Sequence, residues 1–450
     1  MLVRLFQKNK VKIINLFIIF GLFTVYQLVV NTSYILKPWE DELIALTSSV
    51  NFFNSLNFLP SNSYGNFSYA LTSGIISSIG GVVGWELTES FASARVINFF
   101  YVFTVQFLMA TYIFKSNKNF NLFYLLFFSA IQILLVPWWF STMYLIGEII
   151  STLVFVNALF IFKNNPKLSL FLMGVSVIFG KFLMIIPSVF FLASKFRINE
   201  VKKSIYASSY FFIPFISWYM LIYFKIGSNE FFEYLNNFFG TLANREDSGV
   251  QSVYKLSLNT IIENLQKSEV SQWTYASILR AAVAPILFLG IYFRNKERLF
   301  NELGVSFTSV FLGIVGTYGW FWALTPFKYI RQSTHFVLIV VFLSFYIILF
   351  TTSLDKLYKL LLLVNISLFL SDIKLVLVFN VVIFLYYFSL QNLKDIVSVE
   401  FVLIIFLVLN LVNMNLEVQE KDKFDYEFNS CVQNLFSEQC TDDYLSGSTN

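Results

Sequence analysis

Thirteen apolar runs separated by short polar breaks make up most of this chain, at 13–30, 93–114, 120–137, 139–162, 168–180, 182–194, 204–224, 274–293, 303–323, 333–352, 357–370, 374–390 and 397–416. Most approach the length a helix needs to cross the hydrocarbon core, ~20 residues. Only 13% of the 450 residues are charged, against about 25% in a soluble domain. Such a chain cannot hide its apolar surface from water, so its solvent is lipid. Backbone polar groups in lipid must be satisfied within their own segment. The expected fold is therefore all-α, a polytopic transmembrane bundle of these thirteen spans.

The charges at the span ends give the expected sidedness. Arg4, Lys8, Lys10 and Lys12 precede the first run, and no small-residue cleavage site follows it, so it reads as a retained helix with a cytoplasmic N-terminus. Counting from there, the even-numbered spans end at basic loops: Lys115/Lys118, Lys163/Lys167, Lys195/Arg197/Lys202/Lys203, Arg294/Lys296/Arg298, Lys356/Lys359 and Lys394. The agreement requires 168–194 to be two short helices turning near Gly180-Lys181. One crossing there would invert every later loop, and a lysine deep in lipid needs a cavity or a partner. Three segments then face outward: 31–92, 225–273 and the tail from Glu417, which holds eight acids and two lysines. Cys431 and Cys440 in that tail either close a disulfide in an oxidising compartment or remain two free thiols. The expected organisation is a catalytic module over 1–352, further transmembrane helices over 353–416 and an acidic extracytoplasmic tail over 417–450.

The rare residues narrow the chemistry. Two cysteines, both in the tail, and one histidine, His335, cannot build a Cys/His zinc site or a bis-histidine haem site. No cofactor is expected, although a divalent metal stays open, and nothing points to nucleic acid as a partner.

Four groups of residues stand out. Asp41 and Glu42 follow Lys37-Pro38-Trp39-Glu40 and open a stretch in which Leu43, Leu46, Val50 and Phe53 recur at helical spacing. This fits a helix lying along the membrane surface. By spacing alone, the acids read either as a helix start or as a catalytic pair. Arg95, at the outer end of the second span, is either a snorkelling anchor or a phosphate contact. Lys328, Arg331 and His335 share one face of any helix they form. Three potential cations on the outer side call either for a phosphate ligand or for headgroups and loop acids. Glu148, read as lying early in the fourth span, and Lys181 are each functional candidates, or else partners in one buried ion pair.

Taken together, these motifs resemble the GT-C superfamily of membrane glycosyltransferases, nearest to the bacterial aminoarabinose transferases and the relatives of protein O-mannosyltransferases. Trp39-Glu40-Asp41-Glu42-Leu43-Ile44-Ala45-Leu46 is similar to the acidic pair that opens the family's first outer surface helix. Tyr69 to Arg95 looks like its second surface helix and the arginine that follows. Gly180-Lys181-Phe182-Leu183-Met184-Ile185-Ile186-Pro187 resembles the hairpin whose lysine points to the donor lipid. Pro326 to His335 resembles the segment whose arginine holds the lipid phosphate. The His-Pro-Pro often found in the family's first loop is absent, with Asn66-Phe67-Ser68 near that place.

The resemblance implies a cytoplasmic-membrane enzyme that moves a sugar from a polyprenyl-phosphate donor to a glycan, lipid or protein acceptor at the outer face. Asp41 or Glu42 would be the general base. Arg331, Lys328, Lys181, Arg95 and His335 would serve the donor phosphate, with Glu148 and Tyr69 as further candidates. Two alternatives are a polymerase or ligase of lipid-linked glycans, for which loop 225–273 offers a single arginine, Arg245, beside Lys255 and Lys267, and a flippase or transporter, for which no internal repeat is visible.

Overall fold

The computed structural model describes residues 2–35, 40–55, 74–115, 131–143, 147–195, 201–244, 257–266, 275–325, 330–351 and 354–370, with shorter pieces at 128, 145, 374, 376–381, 407–412, 414–416 and 419. The described residues are helical, apart from turns and an isolated bridge between Leu135 and Leu370. In chain order the helices are α1 (Leu2–Ile35), α2 (Glu40–Ser55), α3 (Ile75–Thr88), α4 (Phe91–Lys115), α5 (Val136–Met143), α6 (Glu148–Ile161), α7 (Pro166–Val175), α8 (Ile185–Lys195), α9 (Val201–Ile226), α10 (Ser228–Asn244), α11 (Leu258–Gln266), α12 (Tyr275–Arg294), α13 (Lys296–Leu303), α14 (Phe307–Gly319), α15 (Thr334–Phe350) and α16 (Lys356–Ser367). Four stretches among them are long and apolar enough to cross a membrane, 91–113, 204–226, 307–324 and 331–350, and several shorter apolar helices accompany them.

Two of these stretches divide the work of the bundle. The 331–350 stretch, which contains α15, is apolar on every side and almost wholly buried, as a central helix must be. By contrast, α9 exposes Ile205, Phe212, Ile216, Met220 and Phe224, a surface that only lipid solvates well.

The chain turns back on itself at Lys181. A π-helical turn at Ser176–Gly180 ends α7, Lys181 is extended, and a 3-10 turn at Phe182–Met184 leads into α8. At the far end of α8, Phe191 meets Phe162 edge-on with ring centres 4.9 Å apart. Lys195 lies 5.2 Å from the Phe162 ring. The hairpin therefore returns to the level at which it began. Lys163 meets Phe300 of α13 at that same end, so Lys163, Lys167, Lys195 and Lys296 gather at the end of α6 remote from Glu148.

Two boundaries and one helix face differ from the apolar pattern. The run 139–162 is two helices, α5 and α6, because Gly147 adopts a left-handed backbone (φ +81). A Cβ at Gly147 would lie 1.9 Å from the Ser77 Cβ, so only glycine fits at the bend. Glu148 thus begins a helix and does not lie inside one. The run 303–323 starts at Phe307, after the short helix α13 ends on left-handed Gly304. On α2, Leu46 and Val50 are buried as the spacing predicts, but Phe53 is exposed, and Phe52 packs on Trp218 instead.

Glycine lets α3 lie directly on α4. A Cβ at Gly80 would stand 2.7 Å from the Asn98 Cα, and one at Gly84 2.6 Å from the Ala94 Cα. Both obstacles are backbone and cannot swing aside. Gly84→Val is expected to destabilise the protein by about 1–3 kcal/mol through forced separation of the two helices. Thermal unfolding in detergent reads this directly. Gly290→Ala, whose Cβ would meet nothing within 4 Å, is the control and should not lower the midpoint, since alanine suits a helix interior better than glycine.

Candidate active site

Two buried ionic constellations lie at the segment between α1 and α4 and at the neighbouring end of the bundle. The first joins α1, α2 and α4. Arg95 Nε donates to Glu42 Oε1 at 2.8 Å, and Nη2 donates to Oε2 at 2.6 Å. Arg95 Nη1 donates to the Ser33 carbonyl at 3.2 Å. The guanidinium also lies 4.8 Å from the Phe91 ring. Both side chains of the pair are 0% exposed. A fork of this kind uses both carboxylate oxygens and fixes geometry as well as charge. It brings together two residues that the sequence puts forward for separate roles. Asp41 falls in the first turn of α2, directly before Glu42.

The second constellation joins α6, the hairpin tip and the turn before α15. Arg331, on the 3-10 turn Ile330–Ser333, donates from Nη1 to Glu148 Oε1 at 3.2 Å. Lys181 Nζ lies 3.8 Å from the same oxygen. Side-chain exposure is 1% for Glu148, 7% for Arg331 and 17% for Lys181, so solvent reaches the cluster mainly past the lysine. The ion pair weighed for Glu148 and Lys181 is present, and Arg331 completes it. His335 is turned into the bundle, with Nδ1 3.1 Å from the Thr152 hydroxyl. That hydroxyl in turn donates to the Glu148 carbonyl. Ser141 Oγ donates to the Arg331 carbonyl at 3.1 Å. Lys328 and Tyr69 lie outside the described residues, as do Cys431 and Cys440.

Helix α3 couples the two constellations. The Gly74 N–H and the Ser77 hydroxyl both donate to the Gly180 carbonyl, at 2.6 and 2.9 Å. The next residue, Ser78, shares a 2.5 Å hydrogen bond with Ser49 of α2. The hairpin tip carrying Lys181 is therefore tied through two successive serines to the helix that Glu42 and Asp41 begin. Each cation also follows a π-helical turn, 176–180 before Lys181 and 320–324 before the segment holding Arg331. Such turns recur at functional sites, and no residue pattern in the sequence announces them. Thr152, Ser141, Ser77 and Gly74 were likewise invisible as site residues, since their importance lies in contacts with distant segments.

No protein-family model matches the chain, and no curated protein does either. Among solved structures, the chain aligns with the crystal structure of ArnT from Cupriavidus metallidurans bound to undecaprenyl phosphate. The TM-score is 0.50 at 10% identity, over 90% of this chain and 77% of that one. The chain shares the fold of that structure. ArnT in the apo state aligns with a TM-score of 0.44 at 10% identity, over 96% of this chain and 78% of that one. At such identity the likeness is one of fold, and residue roles in this chain rest on its own geometry. Among the described residues no three His, Cys, Asp or Glu side chains gather as a metal ion would require. What the described site offers is positive charge aimed at one place, beneath a surface helix that begins with acids.

Proposed function

We propose that this chain is a membrane glycosyltransferase that moves a sugar from a polyprenyl-phosphate donor to a hydroxyl of a glycan, lipid or protein acceptor, at the outer face of the cytoplasmic membrane. One observation carries the reading: Lys181 and Arg331, from segments far apart in sequence, converge on a single carboxylate oxygen of Glu148. Among the described residues, two cations face one carboxylate in a site largely shielded from water. A phosphate is the ligand that such a site favours. A chain of the same fold, ArnT, has been crystallised with undecaprenyl phosphate. The cations lie at the end of α6 opposite the lysine-rich end, which is the outer end under the positive-inside rule.

The chemistry needs little else. The acceptor oxygen bonds to the anomeric carbon as the bond from that carbon to the phosphate oxygen breaks, with inversion. The bonding pair leaves with the phosphate, where Arg331 and Lys181 stabilise the charge. The hydroxyl proton passes to a carboxylate. We assign that base to Asp41. Glu42, with both oxygens engaged by Arg95, anchors the helix. Asp41→Asn is expected to lower transfer about 100-fold or more, measured with a radiolabelled polyprenyl-phosphate sugar in proteoliposomes. Full transfer by that variant removes Asp41 as the base.

A further inference from the structure

Glu148 is a carboxylate on the wrong side for proton abstraction. It lies against the cations that receive the leaving phosphate, whereas an inverting nucleophile approaches from the opposite side of the anomeric carbon. Burying such a group is expensive unless its oxygens are satisfied. Glu148 is satisfied by halves: Oε1 is shared between Arg331 and Lys181, while Oε2 is buried with no hydrogen-bond partner among the described residues. The contact to Lys181, at 3.8 Å, is longer than a hydrogen bond. A phosphate entering between the cations offers more oxygens to the same donors. The carboxylate and the phosphate repel each other, so they compete.

We infer that Glu148 is the resident counter-anion of the donor site. It holds Lys181 and Arg331 together while no lipid phosphate is bound, yields them to the donor, and takes them back as the spent lipid phosphate leaves. This rests on the donor reading above. The need is greatest at release. The donor phosphodiester carries one negative charge, whereas a phosphomonoester carries about −1.5 to −2 at neutral pH. Two cations alone would therefore hold the product more tightly than the substrate. Glu148 offsets that imbalance by competing for both.

The test measures binding of undecaprenyl phosphate to the full chain in nanodiscs, for the wild type and for Glu148→Gln. Glutamine keeps an oxygen for Arg331 and removes only the charge. If the wild type binds no lipid phosphate, the donor reading itself fails, whatever Glu148 does. Given wild-type binding, Glu148→Gln is expected to bind about tenfold tighter or more, because a like charge beside the phosphate has gone. In steady-state transfer, KM and kcat should fall together as product release slows. A folded Glu148→Gln that binds equally or more weakly overturns the inference. Should that variant not fold, the wild-type protein decides the matter. In its complex with undecaprenyl phosphate the 3.2 Å Arg331–Glu148 contact should open beyond hydrogen-bonding distance, and its persistence refutes the exchange.

Discussion

Arg331→Ala is expected to reduce sugar transfer by about 100- to 1,000-fold, the loss typical when a preorganised donor to a developing anion is removed. Arg331 is 7% exposed and already donates to one anion, Glu148, at 3.2 Å. Its backbone carbonyl is held by Ser141, and the helix it precedes is buried along almost its whole length. The guanidinium is thus fixed before any ligand arrives, and a preorganised charge loses little by reorganising during the reaction. Lysine supplies the charge without the planar fork, so Arg331→Lys should retain more transfer than alanine but less than arginine. Binding of undecaprenyl phosphate should weaken in the same order. An alanine variant that is monodisperse and binds the lipid phosphate as tightly as wild type would refute the phosphate role of Arg331.

Most helix positions among the described residues were legible in the sequence, because lipid imposes apolarity over a fixed length and leaves charge at the ends; the runs 120–137, 374–390 and 397–416 lie largely outside the described residues. The hairpin was legible for a related reason. A single crossing over 168–194 would have placed Lys195 and Lys202 on the side opposite the other basic loops, and Lys181 needed a partner. What the sequence concealed is partnership across distance. Glu42 and Arg95 each stood out, yet nothing between positions 42 and 95 says that they bind each other. Glu148 looked like a charge within a span because the bend before it turns on left-handed Gly147, where Ser77, distant in sequence, leaves room for no side chain. Phe53 continues the periodic face of α2, but its neighbour Phe52 is the one that finds an aromatic partner in Trp218. Periodicity states which face of a helix is apolar and leaves open where its partner stops.

Arg95→Ala is expected to be the most destabilising of these substitutions, by about 3–5 kcal/mol, because it strands a buried carboxylate. Glu42 is 0% exposed and accepts two hydrogen bonds from Arg95. Without the guanidinium, neither water nor any described cation replaces it unless the helix shifts. The same change also removes the hydrogen bond from Arg95 to the Ser33 carbonyl near the end of α1, so α1, α2 and α4 lose contacts made through one side chain. The double variant Glu42→Met/Arg95→Met separates the cost of an unpaired charge from the value of the pair. A buried pair replaced by apolar residues of similar volume is often neutral or stabilising, so the double variant should unfold near the wild-type midpoint. Transfer should return with stability if the reaction needs the pair only to place the start of α2, where Asp41 lies. A double variant as stable as wild type that transfers no sugar would mean that Glu42 or Arg95 takes part in the chemistry, and the assignment of the base to Asp41 would have to be withdrawn.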